Sequence, residues 1–437
     1  MKSQNNLINF DLTLILSTIA LMGIGVLFIY SSGVNSSGQL VSDEYFKQII
    51  WIAFSIIAFT IMMFIKYSFY KEYGIWIFIL IIVLLIIPLF GARTVNGAKS
   101  WLGVGGLGIQ PSEFTKIATI FVLAIFLEKN KDNIQKLSTI LNAFGLVTIP
   151  MVIILRQPDL GTSLVFFPIF FAMIFFAGAK TRHLLYIFFL GSLTILFTVL
   201  PFIDERIFKE DSPLMIPLTN FPVLVIILSS LTLILVLSII GLWKVKSSVF
   251  YWIIYGVTIL GLSLGFRFIL RNILQEYQIL RLVVFIDPSI DQRGSGWNII
   301  QSMTAIGSGG FSGKGYLQGT HSHYRYLPMQ STDFIFSILA EEWGLIGALV
   351  VFILYSLIIY RLIRTMMTTK NIFASYVITG ILAMFLTHFF VNIGMTVGIM
   401  PVTGIPLYFL SYGGSSMLAA TIGIGFVSNV SLNRYSF

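Results

Sequence analysis

Cysteine is absent from the chain, so disulfides and thiolate-held metals are excluded and cysteine usage says nothing of the compartment. Charge is nearly as scarce. Only 10% of residues are Asp, Glu, Lys or Arg, against about 25% in soluble domains, too few to cover a water-soluble surface of this size. Also lacking is any internal repeat of roughly 20 to 50 residues, which argues against a solenoid.

What fills the chain is apolar, 57% of it hydrophobic. Runs such as Ile75 to Phe90 and Phe221 to Trp243 approach or exceed the ~20 residues that span a bilayer. The fold class expected is therefore an all-α polytopic integral membrane protein. The first run, Leu12 to Tyr30, is followed by Ser-Ser-Gly-Val-Asn rather than a small-x-small cleavage site. It is read as a transmembrane helix, not a signal peptide. Spans are expected at 11–31, 46–65, 74–90, 113–128, 138–156, 160–179, 183–203, 219–243, 249–270, 334–362, 372–396 and 405–428. Two connections, 91–112 and 271–333, are long and Gly-rich, and loops of that length are uncommon unless functional.

With a cytoplasmic N-terminus, every inner loop carries at least two cations, among them Lys66, Lys71, Lys129, Lys131, Lys180, Arg182, Lys244, Lys246, Arg361 and Arg364. Both termini are then cytoplasmic. About half of the 27 basic residues nevertheless fall outside, including Lys99, Lys116, Arg281, Arg293, Lys314 and Arg325. Long loops translocate regardless of charge. The sharper reading is an anionic outer ligand, since Arg and Lys clamp phosphate.

Four segments carry candidate chemistry. Asn96-Gly-Ala-Lys-Ser-Trp101 leads through glycines to Gln110-Pro-Ser-Glu113-Phe-Thr-Lys116. Pro111 and Glu113 are a helix-start signal, but a buried Lys116 needs a partner. Glu113 at i,i+3 can supply it, making the pair a structural brace first and a substrate contact second. Asp159 in Gln157-Pro-Asp-Leu-Gly-Thr162 either caps the next helix or serves a polar cavity. Gly307 to Gly319 encloses Lys314, a setting for a backbone anion nest or for plain turns. Finally, Asp333 in Ser331-Thr-Asp-Phe-Ile-Phe stands at the mouth of an outward helix end. It is either a dipole partner or a general base kept ionised by that end. Glu341 lies about 12 Å deeper and is read as structural, paired within the bundle. His388 is read as a hydrogen-bonded interior residue, and His321-x-His323 lacks the third ligand of a metal site.

These motifs, with Gln301-to-Gly310 and Pro401-to-Ser416, resemble in order those of the SEDS family, whose members include the elongation protein RodA and the division protein FtsW. Gly319-Thr320 and Ala340-Glu-Glu-x-Gly344 look closer to the elongation branch. The resemblance implies a ten-helix core, peptidoglycan glycosyltransferase activity on lipid II, undecaprenyl diphosphate as leaving group, and a class B penicillin-binding protein as transpeptidase partner in the bacterial cytoplasmic membrane. It implies Asp333 as the catalytic residue and Lys99, Trp101, Glu113 and Lys116 as matching substrate-site positions. Arg281 and Lys314 join them as outer cations suited to the diphosphate. A divalent cation, magnesium or manganese, suits such a leaving group; no nucleic acid is expected. His321, Met329-Gln330 and Tyr408 depart from the family pattern. Residues 204–270 hold an extra helix pair within what is otherwise one membrane domain over 1–437, and 271–333 form its large outer catalytic loop. The rival reading is a lipid II flippase, which would place polar groups at the midplane between repeated halves; no such halves are visible.

Overall fold

The structure is a computed structural model describing residues 11–91, 100–103, 108–208, 218, 220–291 and 294–433. Its helices are α1 (Leu12–Gly33), α2 (Glu44–Phe64), α3 (Tyr67–Ile86), α4 (Pro111–Lys129), α5 (Leu137–Arg156), α6 (Leu160–Leu164), α7 (Phe166–Phe176), α8 (Thr181–Ile203), α9 (Phe221–Val245), α10 (Ser248–Ile273), α11 (Glu276–Ile286), α12 (Ser295–Gly309), α13 (Ile335–Thr368), α14 (Ile372–Thr396) and α15 (Gly414–Leu432). Among the described residues, ten helices are long and apolar enough to cross a membrane. The other two expected spans are helical but fall short: α4 carries Glu113, Lys116, Glu128 and Lys129, and the run at 160–176 is divided between α6 and α7.

The chain forms two compact units, residues 1–178 with 297–437, and residues 179–296. In the first, α4 and α14 are core helices and bury residues around most of their circumference. Helix α1 packs along α13, α15 along α2, and α14 against α13, α7 and α4. Asp11 begins α1 by accepting from the Leu14 amide, and its other oxygen takes Arg361 of α13 at 2.6 Å. In the second unit α10 packs against both α8 and α9. Its α9–α10 turn closes on Lys246, a left-handed residue at φ 55°, and on Ser247, which caps α10.

Two expected boundaries move. The stretch from Ile405 to Gly413 is apolar and buried but not helical, and α15 begins only at Gly414. Pro406 and the Gly413-Gly414 pair defeat helix there in spite of the apolar composition. The segment 271–333 is likewise no bare loop. It holds α11, α12 and a short turn of helix at Thr320–His323, so backbone amides that a loop would leave to water are paired internally.

Helix α13 is the longest element and it is broken. Gly344 sits at φ 62°, ψ −156° in its first third, which frees carbonyls and amides on either side. The glycine-rich stretch 310–315 fills them. Lys314 N donates to Glu341 O at 3.0 Å and Gly315 N to Glu342 O at 2.9 Å, while Leu345 N and Ile346 N donate to Gly310 O and Phe311 O. A Cβ at Gly313 would lie 2.0 Å from Glu342 O, and one at Gly344 2.3 Å from Gly313 N. Glycine is therefore required on both sides of this contact. The amides of Lys314 and Gly315, expected as candidates for an anion nest, are spent on the break in α13.

Candidate functional site

Asp333 lies two residues before α13, in a turn closed by its own amide donating to Met329 O at 3.1 Å. The apolar Phe334, Ile335 and Phe336 that follow are buried, so the aspartate is held half-buried where the helix emerges. Asn392 of α14 donates to Asp333 O at 2.9 Å and to Ile405 O at 2.8 Å. That second bond brings the non-helical stretch alongside. Gly404, at φ +73°, faces the carboxylate, and a Cβ there would meet Asp333 Oδ2 at an ordinary contact distance of 3.5 Å. Tyr412 N donates to Ser331 O at 2.8 Å, closing the far side of the same turn.

The start of α4 reaches this region through Gln110. Its amide donates to Ser415 Oγ at 2.8 Å and its side chain to Asp159 Oδ2 at 2.9 Å. Asp159 also caps α6, accepting from Thr162 N at 3.0 Å and Thr162 Oγ1 at 2.8 Å. Asp159 thus caps the following helix, one of its two readings, and ties Gln110 to that cap. Just beyond it, Gly161 packs on the backbone of the 403–405 stretch, with space for no Cβ before the Thr403 carbonyl at 2.1 Å.

Lys116 is wholly enclosed, and the partner it requires is a set of three. Its ammonium reaches Glu113 Oε1 at 2.8 Å, His388 Nε2 at 3.0 Å and Tyr408 Oη at 3.1 Å. His388 stacks on Tyr408 at 3.8 Å between centroids, and its Nδ1 meets Pro406 O at 2.8 Å. Tyr408, the departure from the family pattern, is thus an integral member of the buried network, and Tyr355 donates to its carbonyl. A buried ammonium with all three hydrogens placed is the condition under which such a charge is tolerated.

Lys314 is engaged as well. Its ammonium lies 2.7 Å from Glu341 Oε1 and 2.7 Å from Thr320 Oγ1. Glu341, fully buried, also accepts from His321 N at 2.9 Å and Ser322 N at 3.3 Å. The adjacent Glu342 accepts from Ser31 of α1 and, at 3.1 Å, from Leu317 N. Lys314 therefore braces the 310–325 segment onto α13. Trp101 is half-buried over Gly108, next to Leu102, whose amide and carbonyl pair with those of Ile109 at 2.8 and 2.6 Å. Lys99 lies outside the described residues. Arg281 belongs to the second unit, on α11, with its guanidinium 5.6 Å from the Tyr277 ring.

The structure thus brings Asp333, Asp159, Glu113, Lys116 and the 403–415 stretch into one connected set of contacts. Asn392, His388, Tyr408 and Tyr355 belong to it and were not among the expected site residues. The one available signal was His388 and Asn392 at i,i+4 on an apolar helix, where two polar groups share a face. His321 and His323 diverge, one toward Gln301 and the other toward Val34 O at 2.9 Å. Among the described residues no three His, Asp or Glu side chains converge on a point that could hold a metal ion.

Comparison with known proteins agrees with this architecture. The chain matches the cell cycle protein family of FtsW, RodA and SpoVE over residues 12–211 and 208–436. It is 43% identical over 427 residues to "Peptidoglycan glycosyltransferase RodA" of Treponema pallidum, covering 98% of each chain. It is 33% identical to "Stage V sporulation protein E" of Bacillus subtilis, covering 98% of this chain and 97% of the relative. Among solved structures, RodA of Thermus thermophilus superposes with a TM-score of 0.60 at 22% identity, over 98% of each chain. A chain from a structure described as "Structural coordination of polymerization and crosslinking by a peptidoglycan synthase complex" reaches 0.69 at 23% identity, over 98% of this chain and 99% of its own. The protein is therefore a multi-pass membrane protein with the RodA fold, and the chain belongs to the FtsW/RodA/SpoVE family.

Proposed function

We propose that this protein is a peptidoglycan glycosyltransferase that polymerises lipid II into glycan strands during cell-wall elongation, with Asp333 as general base. The observation that carries the reading is the placement of Asp333. It is half-buried at the emergence of α13, its backbone is tied to α14, and its carboxylate faces a glycine that leaves room beside it. A base so held can take a proton from a hydroxyl brought within hydrogen-bond reach.

In this reaction Asp333 accepts the proton of the sugar 4-hydroxyl of an acceptor lipid II. The oxygen bonds to the anomeric carbon of the lipid-linked donor strand, the bond from that carbon to the diphosphate breaks, and undecaprenyl diphosphate leaves with inversion. A positioned base is worth ~10²–10⁴ in rate, so orientation and stabilisation of the leaving charge supply the rest. Lys99, Trp101 and Arg281 are the substrate-facing residues of this proposal. Glu113, Lys116 and Lys314 act through the packing of the site, given the partners they already hold. A class B penicillin-binding protein would cross-link the product. Both termini lie in the cytoplasm of a bacterial cell and the Asp333 end faces out across the cytoplasmic membrane.

The deciding experiment is turnover of purified lipid II by the purified protein and by Asp333→Asn. That substitution keeps size and removes the basic carboxylate, so activity should fall by ~10²-fold or more with thermal unfolding unchanged. A folded Asn variant that still polymerised would sink the mechanism. Sidedness is checked by cysteines at positions 40, 320 and 368. The first two should label from outside intact cells with an impermeant reagent, and labelling at 368 would reverse the orientation.

A further inference from the structure

Asn392 is fully buried on α14, and its carboxamide donates to two separate segments, Asp333 O at 2.9 Å and Ile405 O at 2.8 Å. These donations set the orientation of the amide, because a flipped group would turn its oxygen toward two acceptors. Its Oδ1 then has no hydrogen-bond partner. Leaving a buried acceptor unpaired is unfavourable, so what the side chain contributes here is its pair of donors.

The neighbouring contacts serve the same stretch of backbone. An ammonium can only donate, so Nε2 of His388 accepts from Lys116 and its Nδ1 carries the hydrogen given to Pro406 O. Tyr355 donates to Tyr408 O from α13. The carbonyls of 405, 406 and 408 are thereby held by side chains of α13 and α14, as irregular backbone at membrane depth requires. Asn392 also donates to Asp333 O. It joins the backbone of the base to the stretch that presents Gly404 against the carboxylate.

We infer that Asn392 is a positioning residue for Asp333, an inference that rests on the reading of Asp333 as the base. The amide ties the Asp333 backbone to the stretch that carries Gly404, and so sets where the carboxylate is presented. Small displacements of a reacting group carry large kinetic penalties. The loss should therefore fall on kcat, while lipid II binding is left in place.

The test compares the full-length protein with Asn392→Ala. Three properties are read: kcat and KM on lipid II, thermal unfolding, and carbodiimide modification of Asp333 relative to Asp159 by mass spectrometry. The expected result is a kcat lower by about tenfold to a hundredfold, KM within about twofold, and several-fold faster modification at Asp333 with Asp159 unchanged. A general loosening would raise both carboxylates together and would overturn the inference. Should Asn392→Ala unfold, Asn392→Leu carries the test, because it keeps the buried volume and removes both donations; the same split of kcat from KM is expected. Unaltered kcat, a loss confined to KM, or unaltered Asp333 modification in a folded variant overturns it. Modification is read without turnover. A wild-type protein that failed to polymerise lipid II would therefore refute the reaction, while the anchoring of Asp333 would still be decided.

Discussion

Helices α14 and α9 are both 25 residues long and both apolar, yet 72% of the core window of one is buried within the protein against 11% of the other. Part of the difference lies in two polar residues of α14 that have no counterpart on α9. Ser229, Ser230 and Thr232 of α9 hydrogen-bond back to carbonyls of their own helix, a local satisfaction that asks nothing of a neighbour. His388 and Asn392 of α14 reach other segments. Lipid is as apolar as leucine, so it does not drive helices together. Within the bilayer it is these outward polar contacts, with close packing, that specify which helix lies against which. The site is built from helices of the α14 kind, and the α9–α10 pair lies in the other compact unit.

That contrast can be broken most severely at Lys116. Lys116→Met strands the buried Glu113 carboxylate and removes donors from His388 and Tyr408. Breaking one partner of a buried ion pair costs about 3–5 kcal/mol, so the variant should unfold well below wild type in detergent. Adding Glu113→Gln should recover much of the loss. If the single variant melts like wild type, the network is not the brace described.

A smaller effect is expected at Lys314, which is partly exposed and whose partner Glu341 keeps other donors. Lys314→Ala should lower stability by about 1.5–3 kcal/mol and leave KM for lipid II nearly unchanged. A raised KM with unaltered melting would return Lys314 to the role of diphosphate clamp.

The smallest effect on activity is expected from the poorly buried pair. Deleting roughly 210–265 and rejoining the chain preserves sidedness, since two spans are removed together, and it touches none of the contacts around Asp333. Such a protein should retain measurable polymerisation. Complete loss in a folded deletion would show that the pair contributes to the site.

Membrane class, the order of helices and the position of Asp333 ahead of an apolar helix were all legible in the sequence, because each rests on local composition or on neighbours within a turn. So was the Glu113–Lys116 pairing at i,i+3, and the burial of Glu341. The break in α13 was not, since Gly344, like Gly347 after it, reads as a helix glycine tolerated within a membrane span. Nor was the true use of the glycines at 310–315, which is visible only once they lie against that break. Least legible were the partners. Lys116 meets His388 across 272 positions and Ser31 meets Glu342 across 311. Periodicity carries no information on such separations, because a hydrogen bond needs two groups within about 3 Å and places no constraint on the length of chain between them. The sequence by itself determined which residues would be buried and polar; only the packing of α4, α13 and α14 decided which of them hold one another, and so where the carboxylate of Asp333 stands.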